Sequence, residues 1–385
     1  MPSKIIFLIS TLSGGGAEKV SVTLANSILN AKIVTVYNTP SKYTCNSEQQ
    51  SLSSYSNNQL IRILKIPKCL LKYCYILKKE KPLVSISALP VDNLLNIFSQ
   101  FICKVPAIIT VHGMPSHNYN CLDRVVKYII FYFARKTKTN IIAVSNGVKE
   151  ELTQKYNLSK SQIQVIYNPI DISTVISLSK SAILDSRVNT DIPLLITVGR
   201  LNEVKGQWHI IRVFAELRKK QLCQLLICGE GPEKKYLLEL VSRLGLEKDV
   251  IFLGWQENPY KYMAKSTLFI QSSLSEALPN VLIEAMATGC PIVAANCSLG
   301  IEEILGPNDK CGLITKKMSG KRHLPTEELD EGEVSLLQNI QKILGDVILH
   351  KQMSINARDR AKIFDVNLGV KNYLDLIKLV QNNKE

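Results

Sequence analysis

No apolar run in the chain is long enough to cross a bilayer. Even Tyr128 to Ala134 is cut short by Arg135 and Lys136, against the roughly 20 apolar residues that a membrane-spanning helix needs. The expectation is a soluble or peripheral protein. The opening, Met1 to Ser10, has too short an apolar core for a signal peptide and runs into a glycine turn and a helical pattern, so it reads as the first strand of a βαβ unit. Although there are ten cysteines, they fall into no C-x-x-C or Cys/His metal spacing. Scattered through expected strands and helices, as Cys103, Cys228 and Cys290 are, they read as buried reduced thiols of a cytosolic protein. Low-complexity stretches are few, hydrophobic residues make up 46%, and 385 residues suffice for two domains with substantial cores.

Acidic residues are scarce in the first half. Residues 1–170 hold 20 Lys and Arg against 7 Asp and Glu, whereas the remainder holds 27 against 26. The net charge of +14 therefore sits almost wholly in the first half. Two clusters dominate it: Arg62, Lys65, Lys68, Lys72, Lys78, Lys79 and Lys81, then Arg124, Lys127, Arg135, Lys136 and Lys138. Any one of these lysines fits an ordinary solvated helix face. The asymmetry as a whole favours a docking surface for anionic lipid headgroups or a lipid-diphosphate acceptor. Leu70, Leu71, Tyr73, Tyr75 and Ile76, with Tyr128, Phe131 and Tyr132, suit apolar membrane contact or core packing equally.

Strand and helix patterns alternate along the chain. Buried strands are expected at Lys4 to Ser10, Lys32 to Tyr37, Leu83 to Ser87, Ala107 to Val111 and Asn140 to Val144. Residues 41–59 read as an exposed loop, with Pro67 opening a helix that ends near Glu80. The pattern restarts at Leu194 to Val198 and continues through Gln224 to Cys228, Val250 to Leu253, Leu268 to Gln271 and Pro291 to Ala294. This is the signature of α/β architecture with doubly wound parallel sheets in two Rossmann-like domains. The boundaries read as a basic N-terminal domain at 1–170, a linker at 171–192, a second domain at 193–365 and a final helix at 366–385.

The most informative stretch runs from Ser275 to Ala295. Glu276 and Glu284 stand eight residues apart across a loop-to-helix junction. Pro279 suits the first turn, Val281 to Thr288 reads as helix, Gly289 ends it and a short buried strand follows. Carboxylates there can accept hydroxyl protons, while first-turn amides can hold a phosphate. A nucleotide sugar fits both. Arg200 and Lys205 follow a strand, at the edge where open α/β sheets bind ligands, and two cations there suit a departing diphosphate. Gly14, Gly15 and Gly16 follow the first strand, where unhindered amides can approach a phosphate or an acceptor, or simply make a tight turn. They do not form a dinucleotide fingerprint, because Lys19 stands at the third glycine position and Asn38 follows the second strand. That argues against a dehydrogenase. His112 ends a strand, Asn146 fits a helix cap or a ligand-lining position, and Trp255 fits the core better than a stacking platform.

These motifs resemble glycosyltransferase family 4, the retaining GT-B enzymes whose C-terminal half is the glycosyl transferases group 1 domain. The resemblance rests on GGGAEK (Gly14 to Lys19), ITVHG (Ile109 to Gly113), AVSNGV (Ala143 to Val148), VIYNPID (Val165 to Asp171), TVGRLNEVKG (Thr197 to Gly206), LLICGEGPE (Leu225 to Glu233), VIFLGW (Val250 to Trp255) and the Glu276 block. It covers most of the chain and is weakest over 40–65 and 316–335. It implies a GT-B fold with the last helix returning to the first domain and the site between the two halves.

By resemblance, Arg200 and Lys205 contact the donor diphosphate, Glu276 the sugar hydroxyls and Glu284 the ribose. The loop of Ala277, Leu278, Pro279, Asn280 and Val281 supplies amides, Gly229 and Glu230 lie near the nucleoside, and His112 donates to the transferred sugar. Transfer is expected to retain anomeric configuration without a protein nucleophile. No D-x-D occurs, the triplet with which the other large glycosyltransferase fold holds a metal-bound diphosphate, so no metal and no resident cofactor are expected.

The expected partners are a UDP-sugar, a lipid-linked or surface-polysaccharide acceptor and an anionic membrane, at the inner face of the cytoplasmic membrane, with no nucleic acid. A UDP-sugar epimerase or a phosphorylase is an alternative on the same fold. A non-enzymatic membrane-binding or nucleic-acid-binding module is suggested by charge alone. Paired carboxylates also occur in glycosidases, but those have no use for an Arg/Lys pair aimed at a diphosphate. Two departures from the family stand out: Ile301 where many relatives have proline, and the long polar stretch Lys316 to Glu333.

Overall fold

The computed structural model describes residues 4–116 and 121–382. The chain divides into two compact units, one formed by Met1–Ile170 with Phe364–Glu385 and the other by Asp171–Ile363. Each is a parallel α/β sheet with helical crossovers, which carries both faces of the sheet out of water.

In the first unit the strands are β1 (Ile5–Ile9), β2 (Ala31–Asn38), β3 (Glu48–Ser54), β4 (Val84–Ser87), β5 (Ala107–Val111), β6 (Asn140–Ala143) and β7 (Ile163–Val165). Their order across the sheet is β3-β2-β1-β4-β5-β6-β7. Every residue of β1 and of β5 is buried, which is why these strands are continuous apolar runs without alternation. The last helix, Val366–Asn382, buries Tyr373, Leu376, Ile377 and Val380 in the same core as β1 and the helix Gly16–Ser27.

Two local expectations fail here. Residues 41–59 contain the edge strand β3, whose EQQSLSS sequence buries only Leu52 deeply. Side-chain bonds replace hydrophobic patterning as its anchor: buried Lys32 donates to Gln50 at 2.8 Å and pairs with Glu48 at 2.8 Å. The following helix spans Gln59–Glu80, with Pro67 in its interior. It starts where the Asn58 side chain accepts from Leu60 N at 2.9 Å. Pro67 is exposed, so water can satisfy the carbonyl that its missing N–H strands.

The second unit holds β8 (Leu194–Val198), β9 (Gln224–Cys228), β10 (Val250–Gly254), β11 (Leu268–Gln271), β12 (Ile292–Ala295) and β13 (Gly312–Thr315), in the order β10-β9-β8-β11-β12-β13. Its core gathers Leu195, Trp208, Phe214, Leu225 and Ile270. The expected linker is part of this unit. Asp171 caps a helix, Ile172–Ser179, by accepting from Thr174 N at 2.9 Å. Ile172 and Val175 are buried, and the helix packs against Tyr260–Lys265 and Asn280–Thr288. Nine cysteines are described, all free thiols, and six of them are buried.

Candidate functional site

In the second sheet the chain moves outward from β8 in one direction and from β11 in the other. The loops leaving these two neighbours therefore start at the topological switch point, where such sheets bind ligands in the crevice outside the carboxyl ends of their strands. Those loops carry Arg200 and Lys205 on one side and Glu276 on the other.

Backbone and hydroxyl bonds lock the two loops together. Leu274 N donates to Val204 O at 2.7 Å, and Ser272 Oγ donates to Gly206 O at 2.8 Å. Gly206 has φ +59, and a Cβ there would meet Ser272 O at 2.7 Å, so this turn needs glycine. Across it Lys205 Nζ donates to Glu276 Oε1, which also accepts from Ser273 Oγ at 2.9 Å. Lys205 keeps two further N–H groups for a ligand. Arg200 is exposed and forms no ion pair among the described residues, leaving its guanidinium fork uncommitted.

Glu284 lies in the helix Asn280–Thr288 and is only 4% exposed. Asn280 and Val281 open that helix, and first-turn amides lack intrahelical acceptors. Pro279 is its N-cap and has no amide, so of the five loop residues expected to supply N–H groups it is the one that cannot. Ala277, Leu278 and Pro279 turn inward and are buried. A Cβ at Gly300 would lie 2.0 Å from Ala277 O. That close approach fixes the loop from behind, while Ile301, standing in place of the usual proline, is wholly buried.

The turn after β9 presses on the loop after β8. A Cβ at Gly229 would stand 1.9 Å from Gly199 O, and one at Gly231 2.2 Å from Leu201 O. Leu201 N donates to Glu230 O at 3.0 Å, and the Glu230 carboxylate pairs with Lys234 at 2.9 Å. Trp255, expected in the core, is 46% exposed. It follows β10 directly, so the strand end carries it past the core to the sheet's carboxyl edge.

The polar stretch Lys316 to Glu333 is a tied strap. Trp208 Nε1 donates to Lys321 O at 3.0 Å, and Arg212 donates to Glu327 O at 3.1 Å and Glu328 O at 2.8 Å. Arg322 lies over the Trp208 and Tyr236 rings and pairs with Glu233 at 2.9 Å. Ligand atoms of His209, Asp330 and Glu333 cluster within 4.8 Å. The Glu333 carboxylate already receives His209 Nδ1 at 2.8 Å and Arg212 Nε at 3.0 Å. The guanidinium supplies the positive charge that a cation would bring, so the cluster acts as a structural clasp.

In the first unit the corresponding switch lies between β1 and β4. The amides of Gly14 and Gly15, expected to be open to an anion, both donate to Glu18 Oε2, at 2.7 and 2.9 Å. Glu18 sits at the third position of the helix that Gly16 opens, so its carboxylate folds back on the turn as half of a capping box. Buried Asp92 ties down the same loop, accepting from Ser10 N at 2.8 Å. Burial pushes its carboxyl up to about 8, against the lowering effect of the Ser10 and Leu89 hydrogen bonds.

His112 follows β5, is half-buried and hydrogen-bonds the Asn168 side chain. Desolvation lowers its imidazole to about 4, so it is neutral at pH 7. Asn168 was not singled out from sequence, although it lies inside the quoted VIYNPID motif. The helix cap expected at Asn146 belongs to Ser145, whose Oγ accepts from Val148 N at 3.3 Å. Asn146 is the first helical residue and donates to Tyr167 Oη at 3.5 Å.

On Gln59–Glu80, Lys68, Lys72, Lys78 and Lys79 are exposed beside Leu71 (70% exposed) and Tyr75 (68%), whereas Tyr73 and Ile76 belong to the core. Among the described residues no helix is long and apolar enough to cross a membrane.

Comparison with known proteins agrees with this architecture. Residues 14–174 match the family model described as Glycosyltransferase Family 4, and residues 179–322 match Glycosyl transferases group 1. The chain is 31% identical over 377 residues, 94% of its length and 96% of the relative's, to N-acetylgalactosamine-N,N'-diacetylbacillosaminyl-diphospho-undecaprenol 4-alpha-N-acetylgalactosaminyltransferase of Campylobacter jejuni. It is 30% identical over 351 residues, 84% of its length and 86% of the relative's, to an uncharacterized glycosyltransferase of Methanocaldococcus jannaschii.

Among solved structures, HepE of Anabaena in complex with UDP-glucose superposes with a TM-score of 0.78 at 20% identity, covering 98% of this chain and 99% of that one. Sucrose-phosphate synthase from Thermosynechococcus elongatus gives 0.77 at 18%, with the same coverages. Two parallel-sheet α/β units with these neighbours define a GT-B fold. The chain belongs to this family of glycosyltransferases.

Proposed function

We propose that the chain is a retaining glycosyltransferase that moves a hexose or N-acetylhexosamine from a UDP-sugar to a lipid-linked or surface-polysaccharide acceptor. The observation that carries this reading is the cluster of charged side chains on the bonded loops at the carboxyl ends of β8 and β11. There Lys205 holds the carboxylate of Glu276, exposed Arg200 stands on the same loop as Lys205, and Glu284 lies in the helix beyond. A departing diphosphate needs fixed positive charge, and Arg200 and the remaining Lys205 N–H groups supply it without a metal. Glu276 takes the sugar hydroxyls and Glu284 the ribose. His112, neutral at pH 7, donates to the transferred sugar. The leaving diphosphate accepts the acceptor's proton on the same face, so no protein nucleophile or base is required.

Two facts about other proteins support the choice of substrates. The Campylobacter relative is named for transfer onto a diphospho-undecaprenol carrier, and the Anabaena structure holds UDP-glucose. The exposed lysines beside Leu71 and Tyr75 suit an anionic membrane surface, where a carrier lipid would be met from the cytoplasmic side.

The test is transfer from a panel of radiolabelled UDP-sugars to undecaprenyl-diphosphate glycans, with chelator present and the anomer of the product read by NMR. A product of retained configuration supports the reading. Donor consumption without acceptor would indicate an epimerase, and a requirement for inorganic phosphate a phosphorylase.

A further inference from the structure

A second cavity lies in the Asp171–Ile363 unit, away from the crevice. It is about 460 Å³ and is lined by Ile176, Ser179 and Lys180, by Ala264 and Lys265, and by Ala287, Thr288 and Arg358. Four helices supply these residues or the positions just beyond their ends: Ile172–Ser179, Tyr260–Lys265, Asn280–Thr288 and Val347–Ala361.

Three cations and no carboxylate line it. Some cations of the unit are paired, as Arg218 is with Asp249 at 3.1 Å, Lys234 with Glu230 at 2.9 Å and Arg322 with Glu233 at 2.9 Å, and others, Arg200 among them, are not. Residues 171–385 balance 27 basic against 26 acidic side chains, so acids are not lacking. Yet none of Lys180, Lys265 and Arg358 forms an ion pair among the described residues.

Helix ends account for only part of this charge. Three helices finish at the cavity, and each C-terminus carries about −0.5 of a charge. That offsets about half of +3 and leaves roughly +1.5 on the exposed side chains of the lining. Arg358 does serve one helix end, donating from Nη2 to Thr288 O at 3.4 Å, but four of the five guanidinium N–H groups remain. The hydroxyls of Ser179 and Thr288 donate to Ile176 O and Ala285 O, each at 2.8 Å, so a ligand's donors here are the three cations.

The geometry points to a second anion site, built for a phosphate monoester or diphosphate group and separate from the crevice of Arg200 and Lys205. A guanidinium fork and two ammonium groups on one lining suit the oxygens of a phosphate. The volume exceeds that of inorganic phosphate, and Ile176, Ala264 and Ala287 give an attached organic group an apolar wall. A free phosphate compound and a lipid headgroup share this chemistry.

The test is calorimetry of glucose 6-phosphate, a monoester that does not mimic the donor diphosphate, on the full chain, with sedimentation on phosphatidic acid vesicles as the headgroup arm. Three proteins are compared: wild type, Lys180→Ala/Lys265→Ala and Arg200→Ala/Lys205→Ala. Both lysines of the cavity are exposed, so the first double variant should melt like wild type. Affinity for the soluble anion or for the vesicle should fall about tenfold or more in Lys180→Ala/Lys265→Ala, and stay within about threefold of wild type in Arg200→Ala/Lys205→Ala. Equal binding by wild type and the cavity variant would overturn the site, as would no wild-type binding in any arm or loss confined to the crevice variant. The outcome does not depend on whether the crevice binds UDP.

Discussion

Lys205 and Glu276 are joined by a hydrogen bond across the loops that leave β8 and β11, with Ser273 Oγ on the same carboxylate oxygen at 2.9 Å. Both side chains are largely buried, so removing either leaves a poorly solvated charge. Lys205→Ala and Glu276→Ala should each lower kcat/KM by roughly a hundredfold or more. The double variant should lose far less than the product of the two, with a coupling of about 1 kcal/mol or more. Additive losses would mean the pair does not act as a unit. Arg200→Ala should lose activity on a similar scale, yet melt within about 0.5 kcal/mol of wild type because its side chain is exposed.

Gly229 cannot take a side chain where it stands. Its φ is +150 and a Cβ would lie 1.9 Å from the Gly199 carbonyl. Gly229→Ala should destabilise the chain by about 1–3 kcal/mol, seen as an earlier urea midpoint. An unchanged midpoint would show that the turn after β9 is not pressed on the loop after β8.

His112 sets a pH dependence. Its folded value is about 4, against about 6.5 unfolded. Between these values the unfolded chain binds more protons, so stability rises with pH across this window and is lost as pH falls from about 6.5 to about 4. Relative to His112→Gln, wild type should lose on the order of 3 kcal/mol of unfolding free energy between pH 7 and pH 4. Parallel curves for the two proteins would place the imidazole in a solvated environment.

Replacing Lys68, Lys72, Lys78 and Lys79 with Gln should weaken binding to phosphatidylglycerol vesicles by about 1 kcal/mol per charge near the surface, while leaving soluble UDP affinity unchanged. Undiminished vesicle binding would reduce the cluster to an ordinary solvated helix face.

Elements whose apolar residues declare themselves were legible in the sequence. β1, β5, β8 and β9 are buried runs, and Gly289 ends its helix in the left-handed region, φ +81. The elements that escaped are held by other forces. β3 is anchored by Lys32 and its partners, Ile172–Ser179 is a short helix set by the Asp171 cap, and the strap at Lys316 to Glu333 is fastened by Arg212 and Trp208. Such bonds join residues tens to more than a hundred positions apart, or single caps, and leave no periodic trace.

The candidate site was legible in part for the same reason. Arg200, Lys205, Glu276 and Glu284 sit at strand and helix ends, which patterning locates. That Glu18 would occupy the Gly14 and Gly15 amides, or that Asn168 would hold His112, depends on side-chain direction that spacing does not carry.

A UDP-sugar site in the crevice of the second unit would also bind the free nucleotide. Its most direct test is metal-free titration calorimetry of UDP, GDP and ADP on wild type and Glu284→Ala. Wild type should bind UDP selectively, and Glu284→Ala should bind it about tenfold or more weakly. Binding that ignores the base, or UDP affinity unchanged in Glu284→Ala, would contradict such a site.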